Sequence, residues 1–169
     1  SFKYQFSSST KQWKEIWIIM QVDILCIGSI KNKPDFLDIF NQYKDRVKIK
    51  INIIELKTLN LPKEKKVISE KNQLVKFLKD YDYTVILDRN GRAISSKEFS
   101  KEIESKMING FRKLCFVIGS DVGLDKYFIS NYDSISFGKQ TWPHLLIRIM
   151  LMEQIYRAFE IIKGSNYHK

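Results

Sequence analysis

The sequence predicts an α/β domain with a mostly parallel sheet. Two observations carry that expectation. Short apolar runs of strand length alternate with segments whose apolar residues recur at helical spacing, and 169 residues with 44% hydrophobic content suit one domain with a real core. Residues 21–28 read as a buried strand ending at Gly28, and 29–34 as a loop. Pro34 opens a helix, because proline is tolerated in the first turn, and Phe36, Leu37, Phe40 and Tyr43 follow at helical spacing. Val47, Ile49, Ile51 and Ile53 alternate with polar residues, which is the pattern of a half-buried strand. A basic connection, 57–66, contains Pro62. It leads to a helix with Val67, Leu74, Val75, Phe77 and Leu78 on its apolar side.

Residues 84–87 form a short apolar strand, and 88–92 (DRNGR) read as a polar turn. Ser95 or Ser96 can cap the next helix, with Glu98 or Glu102 near its start. Residues 113–118 form another apolar strand, ended by the loop 119–123. A short helix around 124–130 leads to a strand at 134–137 and then to a long C-terminal helix. Parallel sheets bind ligands beyond the carboxyl ends of their strands, so the candidate loops follow Leu87, Ile118 and Phe137.

The last helix is apolar almost all round, so it must be buried on most sides, by its own domain alone or by its domain together with a partner subunit. Glu153, Arg157 and Glu160 fall in one polar stripe. Arg148 lies opposite, among His144, Met152, Ile155 and Phe159, where a guanidinium needs a carboxylate, a carbonyl or a ligand. Glu153 and Arg157 are spaced for an i,i+4 ion pair, and Tyr156 for packing.

A net charge of +10 favours a polyanionic partner, nucleic acid before an acidic membrane surface. An AT-rich coding sequence is the competing explanation, since it enriches Lys, Ile and Asn without selection for binding. Cys26 and Cys115 sit inside apolar strands and read as buried reduced thiols in a reducing compartment. No metal-ligand spacing exists, and no apolar run reaches the length of a membrane span. Residues 1–19 differ in composition, being rich in Ser and Lys with Glu15 as their one acid. They read as an extension dispensable for chemistry, with a targeting remnant or upstream sequence as the other readings.

Among the loops, 119–123 (GSDVG) lets backbone approach a ligand closely, and lacks the ending of a triphosphate-binding loop. By sequence alone it is equally a plain strand-to-helix turn. Leu87 alone would be core, His144 a locally satisfied helix-start residue, and the terminal Tyr167 and His168 an inert tail.

The segments VDILCIGSIKNKP (22–34), VILDRNGRAISSKEF (85–99), FVIGSDVGL (116–124), ISFGKQTWPH (135–144), IRIMLMEQIYRAF (147–159) and the terminal YHK together resemble the RlmH family of SPOUT-class methyltransferases. They occur in the family's order and cover about residues 20–169, the expected methyltransferase domain. The resemblance implies a C-terminal trefoil knot, which no periodicity could suggest, and helices on both faces of the sheet. It implies a homodimer that methylates N3 of a pseudouridine in large-subunit ribosomal RNA on the assembled ribosome, with S-adenosylmethionine as donor and without a metal or a membrane. A cytoplasmic location is expected, or an organelle if residues 1–19 are a targeting remnant.

The same resemblance places Leu87, Gly119, Phe137, Gly138, Lys139, Gln140, Thr141 and Trp142 around the cofactor. His168, Tyr167 and Arg148 would take part in catalysis through substrate binding, proton handling or stabilisation of the developing anion. The family's glycine loop usually reads Gly-Gly-x-x-Gly, so Ser120 and Val122 are departures. Lys31, Lys33, Arg89 and Arg92 on predicted loops, with 57–66 beside them, are candidate phosphate contacts. The rival readings are a methyltransferase of the same fold acting on tRNA or a ribose hydroxyl, and a non-catalytic RNA-binding protein.

Overall fold

The computed structural model describes residues 19–167. Residues 1–18, most of the expected N-terminal extension, lie outside the described residues, as do His168 and Lys169. The five strands are β1 (Gln21–Ile27), β2 (Lys50–Leu56), β3 (Tyr83–Ala93), β4 (Lys113–Ile118) and β5 (Asp133–Ser136). The helices are α1 (Pro34–Arg46), α2 (Lys63–Val75), α3 (Ser96–Ile108), α4 (Lys126–Asn131) and α5 (His144–Ile162), and one 3₁₀ turn spans Leu78–Asp80. All pairings are parallel, in the order β2-β1-β4-β3-β5.

Helices cover both faces, so the central strands are buried on both sides. On one face Val22, Ile24 and Cys26 of β1 pack with Phe40 of α1, Phe99 and Ile103 of α3, and Leu151, Ile155 and Phe159 of α5. On the other, Leu25 and Ile27 pack with Leu74 of α2, Leu78, and Phe128 of α4. The burial of successive residues of β1 explains its continuous apolar reading. Asp23 is the polar exception. It accepts hydrogen bonds from Asn52 Nδ2 (2.7 Å), the Tyr81 hydroxyl (2.7 Å) and Gln21 Nε2 (2.9 Å).

Local signals set the helix starts. Pro34 opens α1. Ser95 caps α3 in a capping box, its Oγ accepting from Glu98 N–H while the Glu98 carboxylate accepts from Ser95 N–H at 2.7 Å. Asp125 caps α4 through Tyr127 N–H. Phe77, expected on an apolar helix face, lies beyond the end of α2 and is 38% exposed; the chain turns there into the 3₁₀ element, which buries Leu78 instead.

One element differs in kind from the expected one. The polar stretch 88–92 is no terminal turn but the continuation of β3 to Ala93. After Leu87 pairs with Ile135 the register slips, and Arg92 pairs with the same Ile135 and Ala93 with Ser136. The intervening residues bulge out and the backbone returns to β5, as a strand irregularity allows. Gly91 makes that return possible: a Cβ there would lie 2.7 Å from the Ile135 backbone and 2.7 Å from Ser134 Oγ. Gly91→Ala should therefore push β5 away and lower the unfolding free energy by about 1–3 kcal/mol. Urea titration reads this directly, and an unchanged midpoint would mean that β5 shifts without cost.

Candidate active site

Beyond the carboxyl ends of β4 and β5, and beside the bulge of β3, the two following loops and the bulge enclose a cavity of about 630 Å³. That lies within the roughly 300–1,000 Å³ of pockets that hold a ligand of drug size. Leu87, Asp88 and Arg89 line it from β3, residues 119–124 from the loop after β4, and Phe137, Gly138, Gln140, Thr141 and Trp142 from the loop after β5. His144 and Ile147 close it from the first turns of α5. Of the eight positions expected around a cofactor, seven line this cavity; Lys139 is exposed on the same loop and does not.

Each wall has a local cause. Gly119 admits no side chain, because a Cβ would stand 2.9 Å from Leu124 Cγ and 3.1 Å from the Gly123 carbonyl carbon. Gly123 takes φ +78°, and its N–H donates to the Ser120 carbonyl at 3.1 Å, closing a tight turn. In the last loop, buried Ser136 is the fixing residue. Its Oγ lies 2.8 Å from the Gly138 carbonyl and 3.2 Å from the Arg89 carbonyl, and accepts Gly138 N–H at 3.1 Å. Arg89 Nη1 reaches Thr141 Oγ1 at 3.4 Å, so the β3 extension and the final loop are tied together.

Arg148 is fully buried and does not line the cavity. The expected need for a carboxylate or carbonyl is met by both. Its Nη1 donates to Glu55 Oε1 at 3.0 Å, and its Nη2 lies 2.8 Å from the Ile27 carbonyl and 3.1 Å from that of Gly28. Glu55 also accepts from Ile30 N–H (2.6 Å) and Ser29 Oγ (2.8 Å). The guanidinium therefore fixes α5 to the ends of β1 and β2. Its Nε has no hydrogen-bond partner among the described residues.

His144, beside Arg148 on α5, does line the cavity. Burial and then the Arg148 charge hold its pKa below the ordinary 6.5, so the imidazole is neutral at pH 7 and can accept a proton. Tyr167 lies elsewhere. Its hydroxyl donates to Glu153 Oε1 at 3.3 Å, and its ring packs edge-on against Tyr156 with centroids 4.7 Å apart. The Arg157 guanidinium, paired with Glu153 at 2.7 Å, stands 4.7 Å from the Tyr167 ring centroid. Glu153 is nine residues along α5 from His144, roughly 14 Å at 1.5 Å per residue. Tyr167 does not line the cavity. His168, the other expected catalytic residue of the tail, lies outside the described residues.

The candidate phosphate contacts also separate. Arg89 lines the cavity, and Lys31 and Lys57 line a second depression of about 510 Å³ with Gly28, Ser29 and Glu55. Arg92 is held by Glu102 at 2.8 Å and Lys66 by Asp121 at 2.6 Å. Both cysteines are buried and free. Burial pushes the Cys26 thiol up to about 12 and Cys115 further still, so neither supplies a thiolate at neutral pH. Among the described residues no group of His, Cys, Asp and Glu could hold a metal ion, and no helix is long and apolar enough to cross a membrane. Glu55, Glu70 and Ser136 support the site but were not singled out from the sequence. A polar residue in or beside an apolar run was their only signal, and it does not name a partner.

The profile of the family described as "Predicted SPOUT methyltransferase" matches residues 20–168. Ribosomal RNA large subunit methyltransferase H of Clostridium botulinum strain Okra is 41% identical over 162 residues, spanning 89% of this chain and 100% of the relative. The protein of the same name from strain Kyoto is also 41% identical over 162 residues, with the same coverage, and that from strain Langeland is 40% identical.

Two measurements test the site's supports. Arg148→Ala strands the Glu55 carboxylate and should cost about 3–5 kcal/mol of stability, whereas Arg148→Met combined with Glu55→Gln should cost much less; equal losses in chemical denaturation would contradict the pairing. For His144, the folded pKa lies below the unfolded one, so the folded state binds fewer protons. Its contribution is fully present above about 6.5 and is lost as pH falls from there through the lower folded pKa. His144→Gln should flatten that part of the stability–pH curve, and a curve of unchanged slope would refute the assignment.

Proposed function

The chain belongs to the SPOUT methyltransferase family, in the group whose members are named ribosomal RNA large subunit methyltransferase H. From that membership we propose that it transfers a methyl group from S-adenosylmethionine to N3 of a pseudouridine in large-subunit ribosomal RNA, acting as a homodimer on the assembled ribosome. The observation that carries this reading is the cavity beyond β4 and β5 and beside the bulge of β3, walled by the three segments in which the resemblance is concentrated. We include in the proposal the trefoil threading of the C-terminal segment that the family implies.

The residues present fit an adenosyl ligand. Leu87, Phe137, Trp142 and Ile147 offer apolar walls, while the glycine-bearing loops at Gly119 and Gly138 bring backbone donors and acceptors close. Leu87, Gly119, Phe137, Gly138, Gln140, Thr141 and Trp142 would hold S-adenosylmethionine, with Lys139 at the exposed outer edge of the same loop. When bound, that group supplies a sulfonium methyl that is already a good electrophile. The protein's part is alignment of the acceptor nitrogen with the methyl carbon and sulfur, and removal of the imide proton. Neutral His144 inside the cavity and His168 on the tail are the two histidines suited to the proton.

A second subunit gives Tyr167 and His168 their place. The tail leaves α5 far from its own cavity, so in a homodimer it serves the partner's. Trp142 and Leu146, exposed at the start of α5 beside the cavity, suit a subunit contact. Arg89, which lines the cavity, and Lys31 and Lys57, which line the second depression, would hold phosphates and so position RNA without reading its sequence.

The test is methyl transfer from labelled S-adenosylmethionine to assembled ribosomes lacking the modification, with the product nucleoside identified by mass spectrometry. N3-methylpseudouridine in large-subunit RNA is expected, with no product when the target is uridine. A ribose-methylated or tRNA product would move the substrate, and no transfer by a folded dimer would favour a non-catalytic RNA-binding role.

A further inference from the structure

Glu70 of α2 is 2% exposed, and its carboxylate is held by hydroxyl groups. Ser120 Oγ donates to Oε2 at 2.7 Å, and Thr58 Oγ1 lies 3.4 Å from Oε1. Burying a carboxylate on such terms is costly, and the short bond to Ser120 is its strongest compensation. Ser120 belongs to the loop that walls the cavity after β4, and its Oγ also lies 3.4 Å from Val122 N–H. One hydroxyl thus joins the turn of this loop to a rigid helix behind it. A second link, Lys66 to Asp121 at 2.6 Å, is weaker support because Asp121 is 70% exposed and the pair is screened by solvent.

We propose that Glu70 is a positioning residue for the methyl donor: acting through Ser120, it clamps the loop 119–123 to α2 in the shape that receives the cofactor. Ser120, which departs from the family's usual second glycine, is then no defect. It supplies the donor that a glycine lacks, and the buried carboxylate fixes a loop that a glycine at this position would leave freer to adjust. The proposal rests on the methyl-donor reading of the cavity.

The test uses the full-length chain and two readouts: amide hydrogen exchange in residues 119–123 without ligand, and calorimetric affinity for S-adenosylhomocysteine. Glu70→Leu should speed exchange in the loop and weaken binding, each by about tenfold, the factor that about 1.4 kcal/mol represents. Ser120→Ala should do the same, and the double variant should be no worse than either single one, because the two residues act as a unit. Glu70→Gln keeps an acceptor for the hydroxyl and should restore both readouts towards wild type. Loop exchange and affinity like wild type in Glu70→Leu or in Ser120→Ala would overturn the clamp. So would faster exchange spread evenly into β1, which marks a general loss of stability. Wild-type protein without affinity for S-adenosylhomocysteine would instead overturn the methyl-donor reading, and the clamp's link to a cofactor with it.

Discussion

The buried guanidinium of Arg148 is the constraint on which the working end of the molecule depends. A charge with no exposure to water is tolerated only when paired and hydrogen-bonded, and here its partners come from two strands at once. The carbonyls of Ile27 and Gly28 are available because β1 ends there and the chain turns through Gly28 at φ +86°. A Cβ at Gly28 would lie 3.7 Å from both Arg148 Nη2 and His144 Nε2, so the turn also fits closely under the first turns of α5. Since α5 begins at His144, fixing Arg148 fixes the start of that helix, and with it the far end of the loop that carries Phe137 to Trp142.

The cavity depends on that anchor and on two further connections, each a buried polar residue holding a loop. Ser136 holds the final loop to the β3 extension, and Glu70 holds the glycine loop to α2. Loops that must receive a ligand cannot be stabilised by packing on the ligand's side. They are braced from behind, by hydrogen bonds whose loss inside the protein is costly. Glycines then serve at the points of closest approach: Gly119 against Leu124 and Gly91 against β5. The sheet places the loops together, and these few polar contacts give them one shape.

Much of the fold was legible because its signals are local. The helix starts at Pro34 and Ser95, the buried strands at β1 and β4, and the two faces of α5 follow from residue type and spacing. The extension of β3 was not legible, since Asp88-Arg89-Asn90-Gly91 carries every turn signal and only the presence of β5 makes a strand of it. The cavity loops could be named from the parallel topology and the resemblance. Their supports could not, because periodicity assigns Glu55 and Glu70 to a face without saying what lies opposite. The apolar setting of Arg148 foretold a buried partner, but not that the partner would hold the guanidinium away from the cavity.

The placement of Tyr167 bears on how such a small chain can complete its chemistry. Its hydroxyl on Glu153 and its ring between Tyr156 and Arg157 use the polar stripe of α5, the one side of that helix that is neither core nor broadly apolar. Burial and then the Glu153 charge raise the Tyr167 pKa above its ordinary value, so the phenol stays protonated and remains a donor to that carboxylate. Tyr167 is therefore held beside Glu153, nine residues and roughly 14 Å along α5 from His144. In the homodimer proposed above, a subunit contact would fall where Trp142 of the final loop and Leu146 of α5 are exposed. In the proposed homodimer the two sides of α5 would divide the work: the polar stripe holds Tyr167, and the exposed apolar residues near the helix start would meet the partner.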